Sequence, residues 1–208
     1  MTDNNNLKPS RALGAVVFGL AKVLFRPEVH FENGETGNRL TLNEPTLLVC
    51  NHINHLDGTI IAYLLRKSTM HCLAAKDRFE QGGFMRWYLE KSGCIPIDRK
   101  GVSTDWIHSS VKILRTTDEH IAIFPEGRHG KNGEILPFHS GAAVISALSG
   151  APVLLVCNKG PYKLFRKCRL NVSEPFRLPA PENGMTAEYI SGQTDFLRDK
   201  MIELSNRG

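Results

Sequence analysis

Three short segments gather side chains that can do chemistry. The first reads Asn51-His52-Ile53-Asn54-His55-Leu56-Asp57. On one continuous helix, His52 and Asp57 would point about 140° apart. They meet only across a turn, which Asn54 and Gly58 favour. A histidine held by a carboxylate is set up as a general base, because the carboxylate fixes the ring tautomer and stabilises the imidazolium. Two other readings stay open on these residues. Asp57 caps the following helix while His52 stands by, or His52, His55 and Asp57 ligate a metal ion such as zinc.

The second segment ends a short apolar run, Cys94 to Ile97, with Asp98, Arg99 and Lys100. Charged residues commonly follow strands, so this segment says little alone. The third reads Phe124-Pro125-Glu126-Gly127-Arg128-His129-Gly130-Lys131. Gly127 and Gly130 admit unusual backbone angles, and Arg128 can grip a phosphate through two parallel hydrogen bonds. The Gly-x4-Gly-Lys-Ser/Thr order of a nucleotide-binding loop is missing. Taken alone, the segment reads equally well as a solvated basic turn.

The elements that must carry these segments alternate in period. Thr46–Cys50, Met70–Ala75, Cys94–Ile97, His120–Phe124 and Pro152–Cys157 are short apolar runs that read as buried strands, with Cys168–Ser173 as a further one. Helical patterns fall between them at Thr59–Arg66, Phe79–Lys91, Val102–Thr117 and Ser140–Ser149, and Thr186–Asn206 closes the chain. Pro27 to Pro45 reads as a polar segment with turn signals. This alternation predicts an α/β fold, a single domain with a largely parallel central sheet flanked by helices. In such sheets ligands bind beyond the carboxyl ends of the strands, where all three segments lie. Arg11 to Arg26 adds an N-terminal amphipathic helix. At about 1.5 Å per residue it is too short to cross a bilayer core of roughly 30 Å. It suits a membrane interface or the domain's own core.

The 208 residues, 41% hydrophobic and 23% charged, fit one globular domain and exclude disordered, collagen-like, disulfide-scaffold and multi-span membrane classes. The net charge of +5 is compatible with nucleic acid, a membrane surface or a phosphorylated substrate. The five cysteines are odd in number, widely spaced and without a CxxC pair, which favours a reducing compartment over a disulfide framework or zinc site. Met1 to Asn6 lacks the basic start of a secretory signal. Lys159 to Arg169 holds five basic residues and no acid, interleaved with Tyr162, Leu164 and Phe165. Such a patch fits anionic headgroups, the phosphates of CoA or an acidic carrier protein.

Together the segments resemble the glycerolipid acyltransferases, above all the 1-acylglycerol-3-phosphate acyltransferases. That family carries a His-x4-Asp box, a box ending in Arg, a Phe-Pro-Glu-Gly box and an apolar strand with Pro. Here these correspond to Asn51–Asp57, Gly93–Arg99, Phe124–Gly130 and Ala151–Val156. The resemblance implies an acyltransferase domain over 27–208 and a membrane-surface segment over 1–26. It implies that His52 and Asp57 are catalytic, and that Arg99, Glu126, Gly127, Arg128 and His129 bind substrate. His52 would take the proton from a lysophospholipid hydroxyl, whose oxygen attacks the thioester of acyl-CoA or acyl carrier protein to give phosphatidic acid. Neither a metal nor a resident cofactor is implied, and the expected location is peripheral, on the cytoplasmic face of the membrane. The family usually reads Phe-Pro-Glu-Gly-x-Arg-Ser, whereas here Arg128 comes one position early and His129 and Gly130 follow. Either Arg128 or His129 fills the phosphate role, so another lysophospholipid or an amino-acid lysolipid is an alternative acceptor. A non-catalytic lipid-binding protein is a more distant alternative, and no nucleic acid is expected.

Overall fold

The computed structural model of the chain describes residues 9–98, 103–130, 133–160, 162–182 and 184–207. In chain order the elements are α1 (Arg11–Phe25), β1 (Glu28–Phe31), β2 (Thr36–Gly37), β3 (Leu47–Cys50), α2 (Asp57–Leu64), β4 (Met70–Ala75), α3 (Lys76–Phe79) and α4 (Gly83–Lys91). They continue as β5 (Ile95–Ile97), α5 (Asp105–Thr116), β6 (His120–Ile123), α6 (Gly141–Ser149), β7 (Val153–Gly160), β8 (Arg169–Val172) and α7 (Ala187–Asn206). The strands form one sheet in the order β2-β1-β8-β7-β3-β6-β4-β5. Every pairing from β7 through β5 is parallel, and β1 also runs parallel to β8. Among the described strands, antiparallel pairing joins β1 to β2 and β7 to β8, and an isolated antiparallel bridge links Val153 of β7 to Phe176. The fold is the expected α/β domain.

Strand β3 lies between β7 and β6 and is buried throughout, which is why it reads as an unbroken apolar run rather than an alternating one. Successive side chains on a strand face opposite ways. Leu47 and Val49 join a core with α5, α6 and α7, whereas Leu48 and Cys50 join a second core with α1 and α2. The chain therefore leaves β3 toward one face through α2, and leaves the adjacent β6 toward the other through α6. Where neighbouring parallel strands feed helices on opposite faces, a crevice opens at their carboxyl ends. Here that crevice separates the segment after Cys50 from the segment after Ile123.

Some expectations need correction. The stretch from Pro27 to Pro45 is not only turns. Val29 is fully buried, and β1 pairs with β8, Val29 opposite Leu170. The helix expected over Phe79–Lys91 is two pieces, α3 and α4, separated at Gly82, whose φ of 130° no helix accommodates. Helix α2 begins at Asp57 rather than Thr59. Helix α5 starts at Asp105, with 99–102 outside the described residues. All five cysteines are free. No described helix is long and apolar enough to cross a membrane.

Candidate active site

The turn after β3 is built by its own polar side chains. Asn54 Oδ1 accepts the Leu56 N–H at 3.0 Å, and the Asp57 N–H reaches back to the Asn54 carbonyl at 3.1 Å. This closure starts α2 at Asp57 and folds its carboxylate back over the turn. Asp57 Oδ2 then accepts the N–H groups of Ile53 at 2.7 Å and Asn54 at 2.9 Å, and the Nδ1 of His52 at 2.8 Å. The carboxylate is fully buried, while the His52 side chain stays 20% exposed at the crevice. Because the carboxylate oxygen accepts, Nδ1 is the donor, and in the neutral form of the ring Nε2 keeps its lone pair. The turn that the spacing required is present, and it joins the two residues.

Asp57 Oδ1 is held from across the sheet. Asn158, at the end of β7, donates its Nδ2 at 2.9 Å, and the Tyr162 hydroxyl donates to the same oxygen. Asn158 is itself locked to the end of β3. Its backbone N–H donates to Asn51 Oδ1 at 2.6 Å, and its carbonyl accepts Asn51 Nδ2 at 3.1 Å. Tyr162 sits in the basic Lys159–Arg169 run, yet its hydroxyl points inward. Sequence alone does not single out Asn158 or Tyr162. The faint signals were a polar residue closing an apolar strand and an aromatic among lysines.

The segment after β6 lies on the other side of His52. Glu126 is buried, and its carboxylate accepts the N–H groups of His52 at 3.1 Å and Leu136 at 3.3 Å. Burial pushes its pKa up to about 7, helped by the nearby Asp57 and Glu134 charges. The Gly130 N–H donates to the His52 carbonyl at 2.7 Å, so the two segments are tied in both directions. Gly130 has to be glycine in this arrangement, because a Cβ would lie 2.3 Å from the Glu134 carbonyl oxygen. Gly127 adopts a left-handed φ of 66° and turns the chain back.

His52 is sandwiched between Phe124 and His129, with ring centroids 4.5 and 4.1 Å away. His129 also meets His55 edge-on at 4.3 Å. Burial and the neighbouring His52 and His55 push His129 down to about 4, so it is neutral near pH 7. Its Nε2 is buried and has no partner among the described residues. Arg128 is exposed at the rim. Arg99 and Lys100 lie outside the described residues. The metal reading finds no support, because no group of three His, Cys, Asp or Glu among the described residues could hold a metal ion.

A cavity of about 2390 Å³ runs from this crevice. Small-molecule pockets are ordinarily about 300–1,000 Å³. Its lining includes His52, Arg128 and His129, apolar side chains such as Leu13, Val17 and Phe18 of α1 and Met85 and Leu89 of α4, and charged ones such as Arg66, Asp77 and Arg78. The His52–Asp57 pair therefore opens onto a large cavity lined in part by apolar side chains.

Comparison with known proteins places the chain in a family. The model of the acyltransferase family matches residues 26–158. The chain is 25% identical to the 1-acyl-sn-glycerol-3-phosphate acyltransferase of Bacillus subtilis over 166 residues, covering 77% of this chain and 81% of that one. It is 26% identical to the enzyme of the same name from Streptococcus pneumoniae over 167 residues, again 77% of this chain but 61% of that one. Its fold resembles the crystal structure of the 1-acyl-sn-glycerophosphate acyltransferase PlsC from Thermotoga maritima, with a TM-score of 0.59 and 18% identity, covering 100% of this chain and 85% of that one. With the family match spanning well over half its length, the chain belongs to the acyltransferase family and is an enzyme of it.

Proposed function

We propose that this enzyme moves a fatty acyl group from acyl-CoA or acyl carrier protein to the free hydroxyl of 1-acylglycerol-3-phosphate, giving phosphatidic acid. The observation that carries the reading is the His52–Asp57 contact of 2.8 Å on a large cavity lined in part by apolar side chains. His52 Nε2 takes the hydroxyl proton, and the freed oxygen attacks the thioester carbonyl. The tetrahedral intermediate carries its negative charge on the former carbonyl oxygen, where backbone N–H groups can meet it. It collapses as the C–S bond breaks, and His52 returns the proton to the leaving thiolate. The acyl group never bonds to the protein, and no metal or resident cofactor takes part. Glu126 holds the two loops together, Gly127 turns the chain that presents Arg128, and Arg128 and Arg99 take the acceptor phosphate.

A second acceptor is favoured by one observation. His129 stands against the base as a neutral ring rather than a cation. That suits an acceptor with a neutral polar group at this point, such as another lysophospholipid or an amino-acid lysolipid. An acyl-CoA consumption assay over a panel of lyso-acceptors, with His52→Ala as control, decides between them. Fastest turnover with 1-acylglycerol-3-phosphate is expected, and turnover only with another lysolipid would replace that acceptor.

The protein works as a peripheral enzyme on the cytoplasmic membrane face. Support comes from α1, which packs Phe18 against Tyr63 while leaving Val16, Leu20 and Val23 exposed on its outer side. Leu164 and Phe165 are exposed beside them, because the Phe165 N–H donates to the Leu24 carbonyl. Lys22, Arg26, Lys163 and Arg166, on the same two segments, are also exposed. Leu20→Glu should weaken sedimentation with anionic vesicles roughly tenfold. Unchanged binding would remove α1 from the contact.

A further inference from the structure

The donors on Asp57 Oδ1 come from outside all three loops. Tyr162 reaches this oxygen from a segment that otherwise faces solvent, since Lys163, Leu164, Phe165 and Arg166 are all exposed. Its ring meets Phe25 of α1 edge-on, 5.7 Å between centroids. The backbone on its far side is stitched to the end of α1, with the Phe165 N–H on the Leu24 carbonyl at 2.6 Å and the Cys168 N–H on the Phe25 carbonyl at 2.8 Å. Asn158 Nδ2 donates both to Asp57 and to the Tyr162 oxygen. The phenol thus sits in a closed triangle with the carboxylate and the amide.

We infer that Tyr162 is a positioning residue for acyl transfer, its hydroxyl and the Asn158 amide pinning Asp57 Oδ1 so that Oδ2 faces His52. The inference rests on His52 being the general base. Without the phenol, Oδ1 keeps only the Asn158 amide, so the carboxylate is less firmly held and more of its charge falls on the oxygen facing the imidazole. The ring is then less well aimed and its protonated form is favoured. Burial and the adjacent Asp57 hold the Tyr162 hydroxyl far above its ordinary pKa, so it stays a donor across the working range. The other titratable groups around the dyad are His129 beside His52, with His55 and Arg78 acting on His129, and Glu126 with the Cys50, Cys72 and Cys168 thiols around Asp57. Among the hydrogen bonds described, the only other side-chain donor to Oδ1 is Asn158.

Tyr162→Phe removes the hydroxyl and keeps the ring on Phe25. It should lower kcat roughly tenfold or more while leaving both KM values within about twofold. The acidic limb of the pH–rate profile should move to higher pH. In the substrate-free protein, the low-field Nδ1 proton resonance of His52, assigned by its loss in His52→Ala, should shift. Asn158→Ala, which removes the second donor to the same oxygen, should move these readouts in the same direction. Phe25→Leu loses the ring contact but keeps the hydroxyl, so it should lower Tm without moving the profile or the resonance. The inference is overturned if Tyr162→Phe leaves the profile or the resonance in place, or if Phe25→Leu shifts them equally. The resonance needs no substrate, so it separates this failure from an error in the acceptor. Retained activity in His52→Ala would instead refute the base.

Discussion

The two sides of the His52 ring are built on opposite plans. On the Asp57 side both carboxylate oxygens are occupied, by two backbone N–H groups, the imidazole, an amide and a phenol. On the other side His129 lies 4.1 Å away with a buried nitrogen that no described residue satisfies. A buried polar atom without a partner costs roughly 1–3 kcal/mol. The saturated side gains preorganisation, since its dipoles need not rearrange when charge develops on the imidazole. The open side gives up stability at a point where a ligand can supply the missing bond. On the proposed mechanism, the base is finished before substrate arrives and the acceptor side is finished by substrate.

The largest test of that contrast is His52→Ala. It should cut acyl transfer by about 10²–10⁴-fold and leave the fold intact, since the ring lies at the edge of the cavity. Near-full activity would break the comparison outright, because the saturated side would then serve nothing. Arg128→Ala should raise KM for a phosphorylated acceptor by roughly tenfold with kcat nearly unchanged, as expected for a lost charge-assisted contact. An unmoved KM would mean that the phosphate is gripped elsewhere.

His129→Phe sharpens the contrast further. It replaces the unpartnered ring with an apolar one and should raise Tm by a few degrees while slowing turnover. A fall in Tm would show that the imidazole is satisfied. The smallest effect is in pH. His129 is pushed down to about 4 and His120, buried with Nδ1 accepting the Thr46 N–H, is also lowered. Both favour the neutral ring in the folded state. Their contribution to stability is present above about pH 6.5 and is lost as pH falls toward their folded values. His129→Phe should therefore flatten the acid side of the Tm–pH curve. Glu126 acts in the opposite sense. Raised to about 7, its contribution is present at low pH and is lost as pH climbs from about 4.5 toward 7.

Much of this was legible from local pattern. The continuous apolar runs revealed β3 and β6 because a strand buried on both faces has nowhere to place a polar side chain. The His-x4-Asp spacing demanded a turn, and Asn54 supplied it through a bond to Leu56 only two residues on. What escaped has a common character. Strand β1 is four residues long and owes its place to β8, nearly 140 residues later. The Gly82 break between α3 and α4 depends on a backbone angle that composition only hints at. Tyr162 is drawn inward by Asp57, 105 residues earlier in the chain.

By itself, then, the sequence determined the α/β class, the three loops at the carboxyl ends of strands, and that His52 and Asp57 could meet only across a turn, while it left their pairing open against a helix cap or a metal site. Each of these depends on interactions among near neighbours or on the period of apolar residues, which a linear reading contains. Only the tertiary structure decided that Asn158 and Tyr162 complete the Asp57 clamp, that Glu126 bridges the loops and that His129 is neutral, its Nε2 without a hydrogen-bond partner among the described residues. Those outcomes depend on which distant backbone and side-chain groups share one buried, low-dielectric volume, and folding alone creates that volume.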